Sequence, residues 1–308
     1  MANSTLLSLF QTTMQGMGVG SSGSPASVIA NTNQDVVQTL ALVNIAGNEL
    51  NRQHEWQQAT TQYIFTPTFY SYTGDTTISS ATLTNMSSIT SLDTTFMVTG
   101  TYVPQDTFIN AAPAGSSVVM NRAATGTAAT TTFTFSKVLF ALPSDFDRMV
   151  DATQWDDTRR WSMAGPKTAQ EREFLRSGFI NSAPRIRFWQ MGGYFQIWPP
   201  LGANETLSYE YVSKSWILAA SASPAPTKQL YTVDTDTCIF PDPLMRSLIK
   251  LKYWEVKGFD TTAAMRDYAM QLDLAKAHDA GSKDLSMGAR QGSVLMGFGN
   301  LPDSGFGL

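Results

Sequence analysis

Residues 33–65 read NQDVVQTLALVNIAGNELNRQHEWQQATTQYIF, and the architecture of the chain turns on a change of period inside them. Val36, Leu40, Val43, Gly47 and Leu50 recur at alternating spacings of four and three, which lays one continuous apolar stripe along a helix. Asn33 stands where an N-cap belongs, and Asp35 stands at the positive end of the helix dipole. The spacing predicts a helix from Gln34 to about Gln58. At Thr61 the helical period stops, and Tyr63-Ile64-Phe65 leads to Pro67 and into a different kind of sequence.

Downstream, from Thr61 to Ser136, the carboxylates are Asp75, Asp93 and Asp106, and Arg122 is the only Lys or Arg. Thr dominates, interleaved with Phe96, Val98, Tyr102, Phe108, Ile109, Val118 and Phe133 and broken at Gly74, Gly100, Pro104 and Pro113. That pattern predicts short antiparallel strands, with a disordered Thr/Ala linker over residues 111–132 as the competing reading. Val138 to Leu142 reads as a buried strand ending at Pro143, Ser144 to Arg148 as a polar turn, and Gln170 to Arg176 as a short helix. Arg185 to Trp189 and Tyr194 to Trp198 flank Gly192-Gly193 and predict an aromatic hairpin, because glycine accepts the positive φ that tight turns need. Leu207, Tyr209 and Tyr211 alternate on a further strand.

The outer segments are helical. Leu6, Leu7, Leu9 and Phe10 give residues 4–15 an apolar side, and a Gly/Ser-rich break follows from Gly16 to Pro25. Beyond a Pro/Ala/Ser linker at 221–226, Leu244, Leu248, Leu251 and Val256 line a helix from Pro241 to Lys257 that stops at Gly258. Met265, Tyr268, Leu272 and Ala275 line another from Thr262 to Asp279. The expected fold class is therefore α+β: a discontinuous helical bundle from residues 1–60 and 228–280, with a large antiparallel β domain inserted at 61–227. Within that domain, 72–134 reads as a further Thr-rich insertion. The last 28 residues carry seven glycines and cannot fold alone. This segment, 281–308, is expected to be an extended tail that docks on a partner. Its apolar residues Leu285, Met287, Val294 and Leu295 are interface candidates, as are Met296, Phe298, Leu301 and Phe306.

Composition narrows the function classes. Charged residues are 15% of the 308, well below the usual quarter, and a surface poor in like-charge repulsion suits a protein that packs against neighbours. The net charge of −4 gives no basis for wrapping duplex DNA. Cys238 is the single cysteine, so neither a disulfide framework nor a thiolate zinc site is expected. The start has no basic n-region and no long apolar run, no stretch reaches the length of a transmembrane helix, and the sequons at Asn3, Asn85 and Asn204 read as chance matches. The expectation is a protein made in the cytoplasm and soluble until it assembles.

Each candidate for chemistry lacks a second requirement. Gly18 to Gly23 matches GxGxxG but follows a helix rather than a strand, which reads as a linker. His54 and His278 are the only histidines; His54 lies on the stripe after Leu50, and His278 stands beside Asp279 at a helix end, where the dipole favours a cation. Asp145 with Asp147, and Asp156 with Asp157, form paired carboxylates, but Arg148, Arg159 and Arg160 stand beside them and favour ion pairs. Asp234-Thr235-Asp236 lacks the glycine and glutamate of a calcium loop. Phe188 to Trp198 offers either a stacking platform for single strands or sugars, or core packing, which is the more economical reading. No catalytic residue, cofactor or metal is expected.

Three segments resemble the head-to-tail adaptors of short-tailed bacteriophages, the tail tubular protein A type. They are Asp35 through Glu49-Leu50 and Trp56 to Phe65, Phe140 to Phe146 followed by Trp161 and Gly165, and Phe188 to Pro200 followed by Leu207 to Tyr211. Together they span about half the chain, in shared order. The resemblance implies a helical bundle with a β domain, assembled as a homo-oligomeric, dodecameric ring beneath the portal protein. Such a ring joins the portal to the tail tube or nozzle and lines the genome-exit channel. It implies residence in the virion neck, DNA that passes without specific binding, and no membrane; the Thr-rich stretch at 72–134 lies outside the resemblance and reads as an insertion that contacts tail fibres or a nozzle. It also implies that the C-terminal segment docks on the portal. A β-rich tail appendage or receptor-binding subunit is the alternative; such proteins are usually trimeric with repeats, and no internal repeat occurs here. A hydrolase ranks behind both.

Overall fold

Two helices open the chain, α1 at Leu6–Gly16 and α2 at Gln34–Gln53. The side chain of Thr5 accepts from the Ser8 N–H at the start of α1, and that of Asn33 accepts from Asp35 at the start of α2. Three more follow: α3 at Ala169–Arg176, α4 at Asp242–Lys257 and α5 at Thr262–Asp279. The strands lie between α2 and α4, so the chain is α+β with a large β region between its N- and C-terminal helices. This computed structural model describes residues 3–18, 25–86, 89, 91–177, 183, 185–202, 204–220 and 225–279. The tail at 281–308, with its eight interface candidates, lies outside the described residues, as do most of the Gly/Ser break and of the linker at 221–226.

The chain divides into two compact units. The first comprises Met1–Thr61, Asp145–Val150 and Tyr211–Leu308; the second comprises Gln62–Ser144 and Asp151–Glu210.

In the first unit, α4 packs against α1, α2 and α5. Leu6, Leu9, Phe10 and Met14 of α1 join Val36, Val43, Ala46 and Leu50 of α2 and Leu244, Leu248 and Leu251 of α4 in one core. Gly258, at φ 74°, ends α4 in the left-handed conformation that glycine accepts without strain. The α2 helix stops at Gln53, five residues short of the sequence expectation, with His54 extended at φ −149°, ψ 158°. A continued helix would carry Trp56 about 120° off the Leu50 face. By leaving the helix, Trp56 reaches the core, and its Nε1–H donates to the Leu50 carbonyl at 2.7 Å. Arg148 Nη2 donates to the His54 carbonyl at 2.8 Å, so carbonyls at and just after the helix end gain side-chain donors. Val256 and Met265, expected on the buried sides of their helices, are each 64% exposed. Val256 lies about 140° around α4 from Leu251, and Met265 lies about 100° around α5 from the buried Ala264.

Residues 144–148 are not simply a turn: Phe146–Met149 is a strand that pairs antiparallel with Tyr211–Ser213.

In the second unit the Thr-rich sequence builds a sheet in the order Phe69–Thr76, Ala128–Lys137, Phe96–Gly100, Thr107–Phe108. Thr82–Leu83 pairs with Val118–Val119 beside it. Leu83, Phe96, Val98, Val118, Met120, Phe133 and Phe135 fill the core of this part. Residues 111–132, for which a disordered linker was the competing reading, thus contribute strands and buried side chains. The hairpin forms as its sequence predicts: Arg187–Met191 pairs with Tyr194–Trp198 around Gly192 (φ 60°) and Gly193 (φ 81°). Its third strand is Leu139–Ala141, which pairs with Tyr194–Gln196. Trp155–Asp156 pairs with Trp161–Ser162 and with Leu207–Ser208. The start of α3 carries a reciprocal capping box between Thr168 and Glu171.

Candidate functional site

The two histidines, distant in sequence, come to one end of the first unit. His54 Nε2 lies 3.3 Å from Asp279 Oδ2 without hydrogen-bond geometry, and the same carboxylate accepts the Gln57 N–H at 3.1 Å. His278 and Asp279 line a cavity of about 600 Å³ with Trp56, Asp242 and Arg246. No Ser, Thr or Cys is among its described lining residues. Asp242 is held by Ser4 and lies 3.5 Å from Arg246 Nη2. The group therefore joins the chain start, the α2 exit and the end of α5.

The paired carboxylates serve as local anchors. Asp145 accepts from the Tyr211 hydroxyl at 3.0 Å and from Ser213 Oγ at 2.7 Å, while Asp147 pairs with Arg148 at 2.9 Å. Asp156 does not act with Asp157: its Oδ1 accepts the N–H groups of Thr158 and Arg159, and Asp157 accepts from Ser208 Oγ. The acid beside Asp156 is Glu205, buried and ion-paired with Arg159. Burial raises the Glu205 pKa above the ordinary carboxylate value; Arg159 opposes this and Asp156 adds to it. Sequence reasoning missed Glu205, because its partners lie almost fifty residues away and no local spacing marks it.

Asp234 and Asp236 hold separate turns. Asp234 accepts from Ser27 Oγ and from the N–H groups of Val28 and Ile29; Asp236 accepts from Lys228 Nζ and the Val233 N–H. Burial pushes both pKa values up, but these donors outweigh it and hold both below the usual carboxylate value. Among the described residues no group of three or more His, Cys, Asp or Glu is placed to hold a metal. Cys238 is buried, which pushes its thiol pKa up to about 11.

The aromatic hairpin is core. Phe188 stacks on Phe195 at 5.2 Å, and Phe195 stacks on Tyr209 at 4.9 Å, all three buried. Trp189 is buried as well, its Nε1–H donating to Gln196 Oε1 at 2.9 Å. The exposed residues cluster at the turn: Gln190 to Tyr194.

Large apolar side chains stand in solvent in both units, Ile64, Ile78 and Phe174 among them in the second, and several lie on or between the helices of the first. Val37 and Ile45 of α2, Met270 and Leu274 of α5, and Val256 and Phe259 between them are all exposed. Ile45 also lines a second cavity, of about 540 Å³, with Asn48, Glu49, Arg52, Asp147 and Lys214. The spacing of four from Val37 through Ala41 to Ile45 was readable in the sequence as a second line beside the buried stripe. No described helix is long and apolar enough to cross a membrane. Comparison with models of known protein families and with curated proteins finds no match to this chain.

Proposed function

We propose that the chain is a structural subunit of a virion: a head-to-tail adaptor that assembles as a ring under the portal protein, joins it to the tail tube or nozzle, and lines the channel through which DNA leaves. The observation that carries this reading is a helical unit interrupted by an inserted β unit, whose helices leave large apolar side chains in solvent. Exposed Val, Ile, Leu and Met on several helices of one unit are what an assembling surface presents before it meets its neighbour. The low charge content works in the same direction, since it weakens repulsion between copies. In this reading the carboxylate clusters hold turns and the protein works through its surfaces. The C-terminal segment supplies the contact with the portal, and DNA passes a mildly acidic wall without specific binding.

Native mass measurement of the purified chain with its portal tests the proposal. Closed rings of the portal's symmetry, expected to be dodecameric, support it. Trimers that ignore the portal overturn it in favour of a tail appendage whose contact surface is the Thr-rich sheet.

A further inference from the structure

Two outward helix faces of the first unit differ in chemistry. On α2, Val37, Ala41, Ile45, Asn48 and Arg52 follow at spacings of four, four, three and four and are all exposed. They form one line about 22 Å long, and Arg52, largely exposed and 3.8 Å from Asp147 Oδ1, is its only charge. The line runs into the 540 Å³ cavity, where Lys214 is exposed and has no carboxylate partner among the described residues. On α5, Ala263, Met270, Leu274 and Ala277 form a second exposed line, about 21 Å long. Asp267 and Asp273 flank it, both exposed and neither ion-paired among the described residues, with Arg266 as the one cation.

We propose that these two faces meet between copies of the chain, α5 of one copy lying along α2 of the next. Met270 and Leu274 then cover Val37 and Ile45, and the acidic flank of α5 meets Arg52 and Lys214. The lines match in length and oppose in charge. Neither face suits itself, because α5 against α5 sets Asp267 and Asp273 against their own like, and α2 against α2 does the same with Arg52 and Lys214. Contact between two different faces leaves each copy of a pair with one face still free, α2 on one and α5 on the other. Such pairing propagates head to tail and closes only as a ring. The inference rests on the ring reading above and deepens it by naming the surfaces.

The test uses the full chain with Ile45→Asp and Leu274→Asp made separately and followed by sedimentation velocity. Both sites are exposed, so each variant is expected to keep the wild-type circular dichroism. Each alone is expected to self-associate more than about a hundredfold more weakly, since a carboxylate would be buried against apolar groups. An equimolar mixture is expected to give a one-to-one dimer, because the Ile45→Asp chain keeps its α5 face and the Leu274→Asp chain keeps its α2 face. Absence of that dimer overturns the pairing. As a second arm, Lys214→Glu is expected to weaken assembly about tenfold, and adding Asp273→Lys in the same chain to restore it; no restoration counts against the pairing. Wild-type rings that both Asp variants form equally well overturn this inference and leave the ring reading standing. Open oligomers that both variants disrupt support the pairing and overturn the closed ring. A wild-type chain that stays monomeric at every concentration, both alone and mixed with its portal, overturns both.

Discussion

Gly47 lies so close to Trp216 that a Cβ built on it would fall 2.2 Å from the indole carbons Cη2 and Cζ2. Trp216 is fully buried, stacks on Phe240 at 5.7 Å, and donates its Nε1–H to Asn48 Oδ1 at 2.9 Å. The indole thus spans the gap that only a glycine leaves on α2. Gly47→Ala forces the ring or the helix to move and is expected to cost about 2 kcal/mol. Thermal unfolding measures this, and an unchanged melting temperature would show that the core yields.

Asp236 is almost fully buried and accepts from Lys228 Nζ, 2.9 Å from each carboxylate oxygen. Burial alone would raise its pKa, but its hydrogen bonds hold it below the unfolded value. Its stabilisation is therefore complete above the unfolded carboxylate pKa, near 4, and is lost as pH falls through the folded one. Asp236→Asn should cost about 3 kcal/mol at pH 7. The gap from wild type should narrow as pH drops below about 4, as denaturant unfolding at several pH values will read.

Asp106 carries the opposite sign. Burial raises its pKa although Arg176 lies 2.8 Å away and Arg122 3.4 Å away. A raised pKa means a contribution fully present below the unfolded value and lost as pH rises through the folded value. Arg176→Met removes the nearer cation and raises the pKa further. The expected loss is about 3 kcal/mol at pH 7 and becomes smaller as pH falls and Asp106 takes up a proton. A loss independent of pH would place the role of Arg176 in packing alone.

Gly193 sits at φ 81° in the hairpin turn, where a Cβ meets nothing within 4 Å. The cost of Gly193→Ala is then conformational alone, about 1 kcal/mol. Hydrogen exchange should show the loss first in Arg187–Met191 and Tyr194–Trp198.

Deleting residues 281–308 should leave the melting temperature within a degree or two of the full chain and abolish association with the portal. Retained portal binding would move that contact elsewhere.

Much of this fold could be read from the sequence because its signals are local. The four–three stripe on α2, the glycine after Lys257 and the Gly192-Gly193 pair each act within a turn or two. The end of α2 was not readable, because Trp56 leaves the helix to reach Phe240, 5.3 Å away and nearly two hundred residues on in sequence. Nor does any local feature mark Phe146–Met149 as a strand of the helical unit, since its partner is Tyr211–Ser213. The same limit hid the neighbourhood of Asp156 and Glu205 and the approach of His54 to Asp279. Conversely, the exposure of Met270 and Leu274 is legible only when α5 is seen to bury little more than Ala264 and Ala275.

The first helix also sets a timetable for biosynthesis. Its start is held by a bridge from Thr5 to Thr237 and by hydrogen bonds from Leu6 to Asp236 and from Ser4 to Asp242, the last pair 238 residues apart. At ribosomal rates of about 5–20 residues per second, that partner follows roughly 12 to 48 seconds later. Throughout the interval the Leu6, Leu9, Phe10 and Met14 side of the nascent helix lacks its α4 cover, while residues 62–210 emerge. Slowed elongation or premature termination anywhere before α4 therefore exposes this sticky amino-terminal segment, and production of soluble protein should respond strongly to chaperone supply and growth temperature.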